Sequence, residues 1–113
     1  MGSVKDHRLD ILAQLIDILA LRKHASPKES YTAKLLSQGV HKCAKKLGEE
    51  SVELALALVD GKKKHVRSEA ADVLYHFLVA LMARGVPLSD VMEELQSRFG
   101  LSGLEEKARR KED

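Results

Sequence analysis

Cysteine, tryptophan and proline are nearly missing from this chain of 113 residues. It contains one cysteine, Cys43, two prolines and no tryptophan, and aromatic residues make up only 4% of it. A single cysteine excludes an internal disulfide and a multi-cysteine zinc site, and with them the class of small secreted domains held together by disulfides. Because aromatic rings are so few, we expect a core of leucine, valine, alanine and isoleucine.

Long apolar runs and a strong excess of one charge are also lacking. No run approaches the roughly 18–20 apolar residues that a membrane-spanning helix needs, and the first residues lack the apolar stretch of a signal peptide. The 19 Lys and Arg residues nearly balance 17 Asp and Glu, and the net charge of +2 is too small to indicate nucleic-acid binding by itself. We expect one folded domain over residues 1–113, located in the reducing cytoplasm.

The distribution of apolar residues predicts an all-α fold. Apolar positions recur at three- and four-residue spacing, alternating β-branched runs are missing, and glycines stand where helices are expected to end. Ser26, Pro27 and Glu29 predict a capped helix start, in which Glu29 completes a capping box. The predicted helices cover residues 6–24, 26–39, 41–59, 63–84 and 87–98. A core of about 7–99 is followed by a short, charged and helical tail over about 102–113.

Four acidic residues stand out on the two longest predicted helices. Glu50 and Glu53 are three residues apart on the first of them, and Glu69 and Asp72 repeat that spacing on the second. Residues three apart share one helix face. Counted from Gly61, Glu53 and Glu69 are each eight residues away, and Glu50 and Asp72 are each eleven away. In an antiparallel hairpin, this mirrored register predicts that the four carboxylates converge on one patch.

Such a patch requires a counter-charge. Clustered anions among apolar neighbours repel one another and lose hydration unless they are protonated or neutralised by a cation. An all-oxygen ligand set, without cysteine or a nearby pair of histidines, favours Mg²⁺ or Mn²⁺ over zinc. A solvated face or a set of salt-bridge partners explains most single pairs of glutamates at this spacing, but two pairs in mirrored register favour a metal site.

Two further features are less specific. His76 extends the acidic stripe because it follows Asp72 by four residues, and either a direct role or a structural hydrogen bond fits it. The basic run Lys62–His65 stands at a predicted helix start, where it opposes the helix dipole. Stability does not explain this run, which we note as a clue to function, although a solvated helix end is the better interpretation of its lysines.

Three segments of the sequence resemble the phosphoribosyl-ATP pyrophosphohydrolase family. They are Ser26–Leu36, Lys45–Glu50 with Glu53, and Glu69–His76. The acidic pairs by themselves indicate only the wider superfamily of all-α, MazG-like nucleotide pyrophosphatases. The segment Ser-Tyr-Thr-Ala-Lys-Leu and the Tyr-His pair after the last acidic residue narrow the resemblance to the family. It covers roughly residues 10–98, and the tail from Ser102 is similar to a C-terminal extension of some members.

The resemblance implies hydrolysis of phosphoribosyl-ATP to phosphoribosyl-AMP and pyrophosphate with Mg²⁺, the second step of histidine biosynthesis. It implies that Glu50, Glu53, Glu69 and Asp72 are metal ligands. The catalytic candidates are Glu49, Glu50 and Glu53. Glu49 is about 100° from Glu50 around the helix, which fits a general base, an outer-sphere residue or a salt-bridge partner. The candidate substrate-binding residues are Tyr31, Thr32, Lys34, Lys45 and Lys46.

Other functions fit the same residues. A house-cleaning nucleoside triphosphate pyrophosphatase of the same superfamily would have the same metal site with a different base pocket. A non-catalytic helical interaction module would use the carboxylates as salt-bridge partners. A nucleic-acid role is the least supported, since the basic runs lack interleaved aromatic residues. No Walker loop or dinucleotide-binding glycine motif is present either.

The two longest predicted helices carry more apolar surface than one hairpin can cover. A second copy of the chain, packed against them, would bury that surface in a larger bundle, and the resemblance implies the same. We therefore predict an all-α helical bundle completed by homodimerisation.

Overall fold

A computed structural model describes residues 7–100 and 103–112, and all regular secondary structure within these ranges is helical. The helices are α1 (Asp10–Arg22), α2 (Tyr31–Ser37), α3 (Val40–Asp60), α4 (Lys63–Arg84), α5 (Leu88–Ser97) and α6 (Gly103–Glu112). The prediction of an all-α fold is therefore confirmed. Asp6 and Ser102, where two of the predicted helical segments start, lie outside the described residues, and α1 is shorter at both ends than the predicted 6–24.

An antiparallel hairpin of α3 and α4 is the framework of the molecule, because these two helices share the most extensive contact. Gly61 and Lys62 form the whole connection between them. Glycine is required at the turn: a Cβ on Gly61 would lie 2.7 Å from the carbonyl oxygen of Ala57. The predicted bounds 41–59 and 63–84 agree with the observed helices to within one residue at each end.

The buried core lies where α1 and α2 pack against this hairpin. Its enclosed apolar side chains are Leu19, Leu35, Cys43, Leu78 and Val79. The Cys43 thiol donates a hydrogen bond to the Leu35 carbonyl oxygen (3.3 Å), and burial raises the pKa of that thiol. The core is thus mainly aliphatic, as expected, and it joins α1 and α2 to the two helices that carry the acidic residues.

The start of α2 differs from the prediction. Residues 26–29 form a turn instead of a helical N-terminus, and the helix begins at Tyr31. Ser30 has an extended backbone and its side chain accepts a hydrogen bond from the Ala33 N–H (3.2 Å). The Ser26 hydroxyl accepts from the Lys28 N–H, only two residues on. Such a short-range bond stabilises a turn, so the predicted capping box of Ser26 and Glu29 does not form.

A polar and aromatic contact fixes α2 on α4. The hydroxyl groups of Thr32 and Tyr75 lie 2.6 Å apart, and Thr32 is only 1% exposed. The rings of Tyr31 and Tyr75 stack with centroids 6.2 Å apart. Burial raises the pKa of the Tyr75 hydroxyl, and the hydrogen bond with Thr32 partly opposes that increase.

The C-terminal part of the fold turns away from the hairpin. Gly85, with φ of 79°, ends α4, and the Val86 N–H donates to the Leu81 carbonyl oxygen (3.0 Å) across the end of the helix. Only glycine adopts this left-handed conformation without strain. The Arg109 guanidinium donates to Glu94 (3.3 Å) and thereby attaches α6 to α5. The predicted helix 87–98 agrees with α5 to within one residue.

Within the described ranges, no single helix is long and apolar enough to cross a membrane. Together, α4 and α5 have the length and the apolar composition of a membrane-spanning segment, but a bend of 105° separates the two helices.

Leu19 and Leu21 give a matched test of the core. Leu19 is 1% exposed and Leu21, on the same helix, is 76% exposed. Leu19→Ala removes enclosed methyl groups and should lower the free energy of unfolding by about 2–5 kcal/mol, whereas Leu21→Ala should change it by less than about 0.5 kcal/mol. Chemical denaturation followed by circular dichroism measures both values. Equal effects of the two substitutions would contradict the described packing of α1.

Thr32→Val tests the contact between α2 and α4. Removing the Thr32 hydroxyl takes away a hydrogen bond that favours the Tyr75 phenolate, so the pKa of Tyr75 should rise further. Tyr31→Phe leaves Tyr75 as the only tyrosine, and the ultraviolet absorbance of tyrosinate then reports its titration with and without Thr32→Val. Ser37→Ala, on the exposed side of α2, is the control. An unchanged titration would contradict the contact.

The raised pKa of Tyr75 also predicts how the free energy of unfolding depends on pH. The pKa of Tyr75 in the folded protein is raised above its ordinary value of 10.0. The unfolded chain therefore ionises first, and the free energy of unfolding should fall as the pH rises from 10.0 toward the raised pKa. Thr32→Val should enlarge this alkaline loss.

Candidate metal centre

Three carboxylates from α3 and α4 meet in what we call the acidic cluster. One oxygen from each of Glu50, Glu69 and Asp72 lies within 4.8 Å of the others. The side chains of Glu50 and Glu69 are only 14% and 15% exposed, and Asp72 lies at the exposed edge. The structure thus brings together three of the four carboxylates that the mirrored register places on one patch.

Glu53 lies outside this group. It is exposed and lines a cleft of about 520 Å³ beside the turn of the hairpin, and Glu69 also lines that cleft. Residues three apart on a helix differ by about 60° in direction, so Glu50 and Glu53 need not reach the same point. Glu53 is therefore next to the acidic cluster, on the side that faces the cleft.

The electrostatics of the acidic cluster are unfavourable without a cation. At an effective dielectric constant of about 20, two unit charges 4.8 Å apart, the upper limit for the oxygens of the acidic cluster, repel by about 3.5 kcal/mol, and closer charges repel more. The Lys46 ammonium lies 3.7 Å from Glu50 and offsets part of this charge. Nearby, Nε2 of His65 lies 3.2 Å from Oε1 of Glu69.

The other oxygen of Glu69, Oε2, is the most informative atom of the site. It is buried, and among the described residues it has no hydrogen-bond partner. A buried carboxylate oxygen without a partner costs free energy that a bound cation would recover. The donor set consists of carboxylate oxygens, which suits Mg²⁺ or Mn²⁺. The residues present therefore fit the predicted cation, although ligation by each of them stays a prediction.

The remaining candidates on α3 are Glu49, Lys45 and Lys46, and they differ in their distance from the acidic cluster. Glu49 and Lys45 are exposed. Glu49 is not part of the acidic cluster, and its role stays open. Lys46 is the lysine that lies next to the acidic cluster, through its ion pair with Glu50.

His76 has both ring nitrogens engaged within the fold. Nδ1 lies 2.8 Å from the Asp72 carbonyl oxygen, so it carries the proton and donates. Nε2 lies 3.4 Å from the Tyr31 hydroxyl, which donates to it in the neutral form. The residue is 7% exposed. These contacts support the structural interpretation of His76, which joins the backbone of α4 to the first residue of α2.

A second cleft, of about 560 Å³, lies beside the start of α2. Tyr31 and Lys34 line it, together with Lys28 from the preceding turn. The Tyr31 ring is half-exposed, while its hydroxyl faces His76 near Asp72. Tyr31 and Lys34 thus share one cleft, and Tyr31 is connected through His76 to the backbone of Asp72. Thr32 is buried against Tyr75, and this placement supports a packing role instead of the predicted contact with substrate.

Sequence reasoning missed two residues of the site. His65 contacts Glu69, and Asp60 lines the cleft beside the hairpin turn together with Glu53. His65 precedes Glu69 by four residues, a spacing that places both on one helix face. Because His65 also belongs to the basic run at the start of α4, the sequence alone does not distinguish it from the neighbouring lysines.

Comparison with known proteins identifies the family. The sequence profile described as phosphoribosyl-ATP pyrophosphohydrolase matches residues 12–99, which include the acidic cluster. The chain is 52% identical over 102 residues to the phosphoribosyl-ATP pyrophosphatase of Dinoroseobacter shibae, covering 90% of this chain and 100% of that protein.

Two other relatives carry the same name. The protein of Methylobacterium nodulans is 57% identical over 100 residues, with 88% of this chain and 94% of the relative covered. The protein of Paracoccus denitrificans is 55% identical over 100 residues, with coverages of 88% and 93%. The chain therefore belongs to the phosphoribosyl-ATP pyrophosphohydrolase family.

Proposed function

We propose that this protein is a hydrolase that converts phosphoribosyl-ATP to phosphoribosyl-AMP and pyrophosphate with Mg²⁺ or Mn²⁺, at the second step of histidine biosynthesis. The observation that carries the proposal is the acidic cluster, with its buried and unpartnered Glu69 oxygen among the described residues, in a chain of this family. The names of the three relatives support the choice of substrate.

The cation would be held by the acidic cluster. Glu50, Glu69 and Asp72 supply the oxygens that lie close together, and we include Glu53 as a fourth ligand reached from the adjoining cleft. When bound, Mg²⁺ or Mn²⁺ would offset charge on the phosphates and on the leaving pyrophosphate, and it would lower the pKa of a bound water. Lys46, next to Glu50, adds a positive charge on the same side.

The substrate would extend from the acidic cluster to the start of α2. The half-exposed ring of Tyr31 offers a surface for stacking on the base, and Lys34 and the exposed Lys45 are candidate phosphate contacts that act as point charges. The Tyr31 ring stacks on Tyr75 and makes an edge contact with His76, and both contacts restrain its orientation. The Tyr31 ring would therefore already have a fixed orientation when the nucleotide binds.

A carboxylate is the proposed proton acceptor. The reaction needs a water that attacks the α-phosphorus in line, with pyrophosphate as the leaving group. Glu49, Glu50 and Glu53 are the candidates for the base.

The alternatives are less well supported. A house-cleaning nucleoside triphosphate pyrophosphatase would use the same acidic cluster, but the matched profile and the three named relatives favour phosphoribosyl-ATP. In a non-catalytic helical module, salt bridges would satisfy the carboxylates. The unpartnered oxygen of Glu69 argues against that function.

We also propose that the protein is a homodimer. Val52, Leu56 and Val59 are 59%, 64% and 86% exposed, and their spacing of four and three residues aligns them in one apolar stripe on α3. Leu74, on α4, is 51% exposed. A second copy packed against these helices would bury that surface and complete a helical bundle.

Two broader expectations stay predictions. The free thiol of Cys43 is consistent with the reducing cytoplasm that we propose as the location. The organisation as one domain over residues 1–113 is retained as a proposal.

Glu50→Gln tests the catalytic proposal. The substitution keeps the size of the side chain and removes the charge that would bind the cation, so Mg²⁺-dependent release of pyrophosphate from phosphoribosyl-ATP should fall by about a hundredfold or more. Glu93→Gln, an exposed position on α5, is the matched control and should keep full activity. Undiminished activity of Glu50→Gln would contradict the proposed metal site.

A substrate panel separates the two enzymatic functions. The unsubstituted protein should release pyrophosphate from phosphoribosyl-ATP in preference to ordinary and non-standard nucleoside triphosphates. Turnover of the triphosphates alone would instead identify a house-cleaning enzyme.

Light scattering coupled to size exclusion tests the homodimer. The unsubstituted chain should elute with the mass of two copies, and Val52→Glu with Val59→Glu should shift it to one copy, because a buried unpaired charge opposes association. Lys42→Glu, a polar exposed position on the same helix, should leave the dimer intact. A monomeric mass for the unsubstituted chain at micromolar concentration would refute the proposal.

A further inference from the structure

The two oxygens of the Glu69 carboxylate lie in different surroundings. Oε1 is 3.2 Å from Nε2 of His65, one turn earlier on α4. Oε2 is buried without a hydrogen-bond partner among the described residues. His65 therefore restrains one oxygen of this side chain and leaves the other for a different partner.

The contact defines the protonation of the imidazole. A carboxylate accepts only, so Nε2 of His65 must carry a proton and donate it to Oε1. In the neutral ring, Nδ1 is then the unprotonated nitrogen, and it faces the hairpin turn. A Cβ on Gly61 would lie 3.2 Å from this Nδ1. The missing side chain of Gly61 thus leaves room for the His65 ring beside the end of α3.

We propose that His65 is a positioning residue for the cation site, which holds Glu69 by Oε1 so that Oε2 is directed to the cation. The proposal rests on the proposed function, since it assumes that the acidic cluster binds Mg²⁺ or Mn²⁺. Hydrogen bonds that orient a metal ligand typically contribute about 10–100-fold to metal affinity or activity. Because the His65 side chain is 59% exposed, we expect an effect near the lower end of that range.

This role also explains part of the basic run at the start of α4. Lys62, Lys63 and Lys64 are exposed there, and His65 is exposed too, but its ring also contacts Glu69. A histidine supplies a directed N–H donor that can orient the carboxylate. A lysine ammonium at this position would instead bring a full positive charge and take the place of the cation.

Two substitutions of matched size separate positioning from packing. His65→Gln keeps a side-chain N–H donor that can reach Oε1, whereas His65→Leu has similar bulk and no donor. Binding of Mn²⁺ to the protein without substrate is measured by electron paramagnetic resonance, from the signal of the free ion during a titration. His41→Leu, an exposed histidine in the first turn of α3, is the control.

We expect His65→Leu to weaken Mn²⁺ binding by about tenfold, and His65→Gln and His41→Leu to retain the affinity of the unsubstituted protein. Circular dichroism verifies that each variant is folded. Equal affinity of His65→Leu and the unsubstituted protein overturns the positioning role and leaves the metal site intact. An equal loss in His65→Gln and His65→Leu overturns it too, because the donor would then not be the cause.

Two further outcomes refer to the metal itself. Electron spin-echo measurements should show no strong nitrogen coupling to the bound Mn²⁺. A directly bonded imidazole nitrogen would make His65 a ligand and would overturn the inference. If Mn²⁺ does not bind to the unsubstituted protein at all, the proposed function fails together with the inference, which distinguishes that failure from a failure of the His65 role alone.

Discussion

The repulsion between carboxylates that α3 and α4 bring together is the constraint on which the proposed chemistry depends. Glu50 and Glu69 are mostly buried and approach Asp72 within a few ångströms. Such an arrangement is unfavourable in an isolated fold and becomes favourable when a cation enters. Under the proposed function, part of the folding free energy of the hairpin maintains a site that would take a divalent ion and, through it, a polyphosphate.

The rest of the fold holds this hairpin and adds the side that we propose for nucleotide binding. The short turn at Gly61 keeps α3 and α4 in close contact. The aliphatic core attaches α1 and α2 to them. The bond between Thr32 and Tyr75 then sets the position of α2, so that Tyr31 lies beside His76 and near the backbone of Asp72. Few aromatic residues are present, and two of them are used at this one contact.

The exposed apolar stripe on α3 lies next to the acidic cluster, because the two share one residue's surroundings. Leu56 belongs to the stripe and also lines the cleft that contains Glu53 and Glu69. A second copy of the chain packed on the stripe would exclude water beside these carboxylates, which strengthens their interaction with a cation. In the proposed dimer, association and metal binding would therefore support each other.

Much of this architecture followed from the sequence. The helical periodicity, the glycines at helix ends and the spacing of Glu50, Glu53, Glu69 and Asp72 are local properties, so they predicted the all-α fold, most helix bounds and the mirrored acidic pairs. The resemblance in these segments also indicated the family. At the start of α2 the local pattern predicted Ser26 as the cap, and the helix uses Ser30 instead. Only the tertiary structure decided which oxygens meet, because the direction of a side chain across two packed helices depends on their rotation and crossing. That packing left Glu53 outside the acidic cluster, enclosed Thr32, and left one oxygen of Glu69 buried while His65 holds the other.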